Sequence, residues 1–373
     1  MRILLIADGN SVWTRRVYAQ IYHPMGCEVA LTPLDPMDSA ARAYWRERGV
    51  PVLDPPAELP LIRSIPRVRG LVQRRRELRA LLASGPFDQV HVQQVFAKAA
   101  VLAELLEARG VPALLSYWGS DVFRAKPGQL EKQRAIIARA KAVAVQSVGM
   151  KEALVAAVGE GLREKIRLVT FGVDMLEDID RALALGKPAC RRALGVPEEG
   201  FLLVLGGCAI PAHQHLRALD ALSRLSDAEK ARLHVALPLT YGGTPEYIAR
   251  VREAAQASGL RHTLLTDFLD GPHMAVLRAG CDAYAQITTT DAISASMQES
   301  LYAGVRVLNP VWLSYPELDE LGYQFDTYRA FDELPAAVLR LMETEPPVQP
   351  SRAAFRAAYG WETTRALYAD MMR

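Results

Sequence analysis

The chain opens on "RILLIA", apolar without a break from Ile3 to Ala7, breaks into the loop "DGNSVW", and continues as a helical "TRRVYAQIYHPMG" closed by Gly26. A strand that is apolar on both of its alternating faces has to be covered on both, which predicts a parallel sheet flanked by helices. The same rhythm returns in "EVALT", "VPVL", "QVHV", "VPALLSY", "AVAVQS" and "IRLVTFGVD", separated by helical stretches such as "RVRGLVQRRRELRALLAS" and "AKAAVLAELLEARG". These elements predict one open α/β layer of about 170 residues.

From Met175 to Gly200 the pattern turns into polar helical segments punctuated by Pro188 and Pro197, which sets the expected domain boundary near Gly172 and Val173. A second round follows, with strands at "FLLVLGG", "LHVALPL", "HTLLTDF", "CDAYAQI" and "VRVLNP" and helices between them. The expected organisation is therefore two α/β units, residues 1–172 and 173–354, followed by an amphipathic helical tail, residues 355–373.

Composition narrows the function classes. The 373 residues are 50% hydrophobic and 23% charged, with a net charge of +2, so the chain as a whole shows no nucleic-acid footprint. The four cysteines, Cys27, Cys190, Cys208 and Cys281, are far apart, which points to free thiols instead of a zinc site or a disulfide framework. The N-terminal apolar run is too short for a signal peptide and no later run approaches a membrane span, so the expectation is a cytoplasmic protein with surface attachment to a membrane at most.

Ligands of open α/β sheets bind at the carboxyl ends of the strands, which directs attention to four loops. In "ADGNSVWTRR", Gly9, Asn10 and Ser11 can turn backbone N–H groups toward an anion, or simply cap a helix; Arg15 and Arg16 follow at a helix start, where cations oppose the helix dipole. In "YWGSDVF", Trp118 offers a flat face, and Asp121 reads either as a turn residue or as a carboxylate that acts as a base or holds a sugar hydroxyl. In "LGGCAIPAHQH", Gly206 and Gly207 admit a ligand close to the backbone. His213 and His215, two apart, cannot share a helix face as metal ligands, but His215 can donate to a phosphate. In "ITTTDAISASMQES", a helix starting near Ala292 would place Asp291 at its cap and aim N–H groups at a diphosphate, while Ser296 and Glu299 also match a capping box.

Taken together, "GNSVWTRRVYAQIYHPMGCEV", "WGSDV", "FGVD" and Asp291-x7-Glu299 followed by "LYAGVRVLNP" resemble glycosyltransferase family 4 enzymes of the GT-B fold. The C-terminal half, through "GGCAIPAHQHLRAL" and "PLTYGG", resembles the TDP-N-acetylfucosamine (4-acetamido-4,6-dideoxygalactose) transferases. The resemblance implies two Rossmann-like domains facing across a cleft, with the C-terminal helix crossing back to the first. It assigns a nucleotide-sugar donor to the second domain through Gly207, His213, His215, Tyr241, Thr290, Asp291, Ser294 and Glu299, with Glu299 on the ribose and Asp291 near the sugar. It assigns a glycan or polyprenyl-linked acceptor to the first domain through Asn10, Trp13, Arg15, Arg16 and Trp118. Asp121 and Asp291 are the catalytic candidates, with Asp8 as a further base if the reaction inverts. No metal and no cofactor are implied.

One departure stands out. Many family 4 enzymes carry an arginine and a lysine in the loop that here reads "GGCAIPAHQH", so His213, His215, Arg15 or Arg16 would have to neutralise the diphosphate. Seven arginines between Arg63 and Arg79, interleaved with Leu and Val, suggest contact with an anionic membrane surface or a solvated face. The expected activity is transfer of a sugar from a nucleotide diphosphate sugar in bacterial envelope polysaccharide synthesis. The alternatives are a GT-B nucleotide-sugar epimerase and a non-catalytic GT-B partner subunit.

Overall fold

The computed structural model describes Met1–Ala57 and Pro66–Arg373, the side chains of residues 66–71 aside. Met1–Phe171 together with Trp361–Arg373 form one compact unit, and Gly172–Gly360 form the other.

The first unit holds a parallel six-stranded sheet in the order β2-β1-β3-β4-β5-β6: β1 (Arg2–Ala7), β2 (Glu28–Pro33), β3 (Gln89–Gln93), β4 (Ala113–Ser116), β5 (Ala142–Val145) and β6 (Ile166–Leu168). Each pair is parallel and in simple register, as in Leu4 opposite Ala30 and Val90, and Ser116 opposite Gln93 and Ala144. Ile3, Leu5, Leu114 and Ala144 share one sheet face with Tyr22, Trp45 and Tyr368. Full burial of each large apolar side chain contributes about 1.5–3 kcal/mol, and this face carries many. "VPVL", expected as a strand, forms only a single bridge between Leu31 and Val52. Pro51 has no N–H to donate and Pro55 and Pro56 follow, so pairing cannot extend.

The second unit repeats the plan in the order β12-β11-β10-β7-β8-β9: β7 (Phe201–Leu205), β8 (Leu233–Pro238), β9 (Arg261–Leu265), β10 (Ala283–Ala285), β11 (Arg306–Pro310) and β12 (Asp326–Tyr328). "FLLVL" is apolar throughout because both faces are covered. Leu202 and Val204 pack in one core with Leu176, Ile179 and Tyr284, while Leu203 and Leu205 pack in another with Leu219, Val251 and Val338. The short edge strand β12 was not expected, since its three residues carry no apolar run.

The tail divides between the units. Phe355 and Tyr359 lie in the core of the second, whereas Tyr368, Met371 and Met372 lie in the core of the first. Residues 355–360, expected with the first unit, therefore belong to the second. Within the first unit the final helix is tied down by Gln89 Nε2 donating to the Met372 carbonyl (2.6 Å) and Thr364 Oγ1 to the Thr170 carbonyl (3.1 Å).

Strand order fixes where ligands can sit. In the second sheet the chain runs from β7 outward to β8 and β9, then returns to place β10 on the other side of β7. Their carboxyl ends form a topological switch point, the place where open α/β sheets bind ligands. In the first sheet the switch point lies between β1 and β3.

Candidate active site

At the second unit's switch point, β7 ends in Gly206 and Gly207. Gly206 has φ +74°, and a Cβ there would stand 2.8 Å from His215 Nε2; a Cβ on Gly207 would stand 2.9 Å from Ser296 Oγ. Only glycine lets this loop press against the helix Ala295–Tyr302. The loops after β7 and β10 are further stitched by Thr289 N–H on the Ala212 carbonyl (2.9 Å) and Gln214 Nε2 on the Ile287 carbonyl (3.0 Å).

The helix starts at Ala295 and not near Ala292. Its cap is Ser294, whose hydroxyl accepts the Met297 N–H (3.3 Å), so Asp291 is not the cap and Ser296 with Glu299 does not form a capping box. Ser294 wins because its side chain stands three residues before an amide it can reach, the usual geometry of a capping serine. Ser296, in the first turn, lies against Gly207, which brings the N-terminal end of this helix beside the glycine loop.

Asp291 instead enters a polar chain. Its Oδ2 accepts from the Tyr315 hydroxyl (2.7 Å) and from Gln286 Nε2 (3.4 Å), and Gln286 Oε1 accepts from the Tyr284 hydroxyl (2.5 Å). Burial raises the Asp291 pKa from 3.8 to about 6, against the pull of Tyr315 and two backbone N–H groups. Between those values the folded chain keeps a proton that the unfolded chain has released, so this group costs stability as pH rises through the window. Urea midpoints across it are expected to fall more steeply for the wild type than for Asp291→Asn; equal slopes would remove Asp291 as the titrating group.

Glu299 points to a partner that sequence reading missed. Arg278, from the helix Gly271–Gly280, donates Nε to Glu299 Oε2 (3.1 Å), with side chains only 1% and 12% exposed. Its guanidinium also lies over the Tyr284 ring, 5.5 Å from the centroid, and its Nη1 is buried with no hydrogen-bond partner among the described residues. The one sequence signal was a lone arginine inside the otherwise apolar "MAVLRAG".

His215 does not supply the missing cation. His215 is buried, and burial together with His213 lowers its pKa to about 3, so it is neutral at pH 7. The two rings lie parallel at 5.8 Å. His213 Nδ1 accepts the Gly207 N–H (3.2 Å) and its Nε2 meets Cys208 Sγ (3.0 Å), which uses the ring to hold the loop. His215 Nδ1 meets the Tyr247 hydroxyl (3.2 Å), and its buried Nε2 faces the Gly206 turn without a partner among the described residues. In the tautomer that accepts the tyrosine proton, that Nε2 carries a hydrogen to donate. Tyr241 is 58% exposed, and its carbonyl accepts the Ala209 N–H (3.0 Å). Thr290, in the loop after β10, is exposed, its carbonyl taking the Thr288 hydroxyl (3.1 Å).

In the first unit, Trp13 stacks on Phe171 (5.2 Å, 18°), Trp118 meets the same ring edge-on (5.4 Å), and Arg16 covers Trp13 (4.5 Å). Arg15 lies apart, over Tyr44 (5.0 Å). Asn10 is spent on architecture: its Nδ2 donates to the Pro36 carbonyl and its Oδ1 accepts the Asp38 N–H, both at 3.0 Å. Asp8 holds the Asn10 N–H (3.0 Å). Asp121, expected as a general base, is fully buried, and its carboxylate accepts the N–H groups of Val95 (2.8 Å), Trp118 (2.9 Å) and Gly119 (3.0 Å). A group so enclosed and so fully bonded ties the loop after β3 to the loop after β4, with no exposed oxygen to take a substrate proton.

Of the basic stretch, Arg63 lies outside the described residues. The rest falls on the helix Pro66–Ala83, where Arg74, Arg75 and Arg79 are exposed. Among the described residues no helix is long and apolar enough to cross a membrane, and no three His, Cys, Asp or Glu side chains converge as metal ligands. The four cysteines are free thiols.

Residues 13–172 match the glycosyl transferase 4-like domain family. The sequence matches none of the curated proteins. Solved structures of similar fold include Anabaena Alr3699/HepE in complex with UDP-glucose, 19% identical over 100% of this chain and 99% of that one, with a TM-score of 0.71. A glycosyltransferase from Rickettsia africae is 13% identical over 100% and 97%, with a TM-score of 0.75. The lipopolysaccharide outer core galactosyltransferase WaaB, in its apo form, is 13% identical over 100% and 99%, with a TM-score of 0.70. The chain has the GT-B fold of these glycosyltransferases, and its residues 13–172 are similar to the glycosyl transferase 4-like domain.

Proposed function

We propose that this protein is a glycosyltransferase that moves a sugar from a nucleotide diphosphate sugar, a UDP-sugar foremost, to a glycan or lipid-linked acceptor in bacterial envelope polysaccharide synthesis. The observation that carries the reading is the switch point between β7 and β10, where the Gly206–Gly207 turn lies against the first turn of the Ala295–Tyr302 helix and Glu299 is held by Arg278. A glycine turn and a helix N-terminus together suit a diphosphate. Glu299 then takes ribose hydroxyls and Asp291 a hydroxyl of the sugar. As the bond from the sugar to the diphosphate breaks, N–H groups fixed in advance stabilise the departing charge. His215 adds an N–H, not a cation.

HepE is bound to UDP-glucose in its solved structure, which supports uracil as the base. WaaB, a lipopolysaccharide galactosyltransferase, supports the envelope context. The exposed Arg74, Arg75 and Arg79 favour an anionic membrane surface, where a lipid-linked acceptor would lie. Thermal denaturation with UDP, GDP, TDP and their sugars tests the donor. A nucleotide at 100 times its Kd is expected to stabilise the fold by about 2.7 kcal/mol. UDP should give the largest shift; a preference for TDP would favour the N-acetylfucosamine-type donor, and no shift with any nucleotide would sink the proposal.

A further inference from the structure

Pairing beside the edge strand β2 stops at the bridge from Leu31 to Val52, because prolines follow, and a cavity of about 150 Å³ lies where the ladder gives out. Among the described residues its walls include Pro33, Leu34, Leu53, Pro56, Leu81 and Leu102, so it is largely apolar. Two helices close it. Glu77, Ala80, Leu81 and Ser84 recur at the spacing of one helix face on Pro66–Ala83, and Lys98 and Leu102 stand one turn apart on the helix Ala97–Glu107.

Most polar groups of the wall are already used. Thr32 Oγ1 donates to the Leu53 carbonyl (3.2 Å), Ser84 Oγ donates to the Ala80 carbonyl (2.8 Å), and Asp54 takes both arms of Arg42 (2.8 and 2.9 Å). Glu77 is the exception. It is only 8% exposed, and its one hydrogen bond among the described residues is a long one from Gln73 Nε2 (3.5 Å). That same Nε2 is committed to the Pro56 carbonyl (2.6 Å), which fixes the orientation of the amide and leaves Gln73 Oε1 buried without a partner among the described residues. Lys98, the cation among the described wall residues, is exposed and makes no ion pair with Glu77.

The cavity therefore joins apolar walls to two neighbouring acceptors, a carboxyl group and an amide oxygen. A buried carboxylate with no cation beside it is costly, and a partner that arrives from outside relieves that cost. Apolar cavities of about 150 Å³ take up molecules the size of benzene. A bare hydrocarbon of that size would leave both acceptors unmet, and a carboxylate or phosphate would set like charges together. A hydroxyl brings one hydrogen to two acceptors, whereas a primary ammonium brings three hydrogens and the opposite charge. We propose that this cavity binds a small apolar amine, its ammonium on Glu77 and Gln73 Oε1 and its hydrocarbon body against Leu53, Leu81 and Leu102. None of the described wall residues belongs to the proposed donor or acceptor sets, so the site goes beyond the glycosyltransferase reading and stands or falls without it.

Saturation-transfer NMR and calorimetric titration of the full chain at neutral pH, with benzylamine, toluene and phenylacetate as probes, test this. Benzylamine should bind the wild type about tenfold or more tightly than toluene, because the same ring then carries charge-assisted hydrogen bonds. Glu77→Gln, which keeps the shape and removes the charge, should erase that preference while toluene still binds, a sign that the cavity is intact. Leu81→Phe, which fills the space, should weaken both ligands. No benzylamine binding by the wild type, equal affinity for benzylamine and toluene, or an ammonium preference that survives Glu77→Gln would each overturn the proposal. Undiminished benzylamine binding in Leu81→Phe would place the amine elsewhere, and a preference for phenylacetate would give the charge of the cavity to Lys98; either result rejects the site.

Discussion

Arg278→Met is expected to destabilise the second unit by about 3–5 kcal/mol in urea and to abolish the UDP-induced thermal shift. The physical reason is asymmetry. Removing one member of a buried ion pair strands the other charge away from water, whereas replacing both with apolar groups of similar volume is often close to neutral. Arg278 and Glu299 are 1% and 12% exposed, so Glu299 alone would keep a largely enclosed carboxylate without its guanidinium. The double variant Arg278→Met with Glu299→Leu should consequently recover most of the lost stability. It should not recover UDP binding, because the carboxylate proposed to hold the ribose is gone. Stability and binding thus separate in one mutant cycle. A single variant within about 1 kcal/mol of the wild type would show that the pair is better solvated than its burial implies.

That pair also shows what a one-dimensional reading can and cannot reach. The apolar runs "RILLIA" and "FLLVL" announce strands covered on both faces, because no other arrangement hides every side chain; parallel sheets, two units and the loops at their carboxyl ends follow. "VPVL" misleads because its apolar character is right while Pro51 removes the donor that a ladder needs. The start of the Ala295–Tyr302 helix is blurred by several residues able to cap, and only three-dimensional reach selects Ser294 over Asp291. Arg278 and Glu299 are 21 residues apart and meet because two helices pack side by side, a relation no spacing rule encodes. The role of His215 fails for a similar reason: its charge is set by burial, which the letters "AHQH" do not carry.

Asp121→Ala is expected to cost about 3 kcal/mol or more in urea, the second large effect, and the size of the loss discriminates between two roles for one carboxylate. Its two oxygens take the N–H groups of Val95, Trp118 and Gly119, tying the loop after β3 to the loop after β4. Each buried N–H left without an acceptor costs about 1–3 kcal/mol, so three together account for the expected loss. Asp121→Asn is the sharper variant. Its single carbonyl oxygen can still accept from Trp118 and Gly119, but its NH2 would face the Val95 N–H, donor against donor, so it should fall between wild type and alanine. A general base would behave in the opposite way: asparagine would leave stability almost untouched and slow turnover by about 10²–10⁴. Burial pushes the Asp121 pKa up while the three N–H groups pull it down, and neither influence opens a path to solvent for a proton. Urea midpoints and turnover measured on the same asparagine preparation therefore decide the matter. Lost stability with turnover retained in the folded fraction assigns Asp121 to holding the Trp118 loop in place, and intact stability with turnover lost would return it to the chemistry.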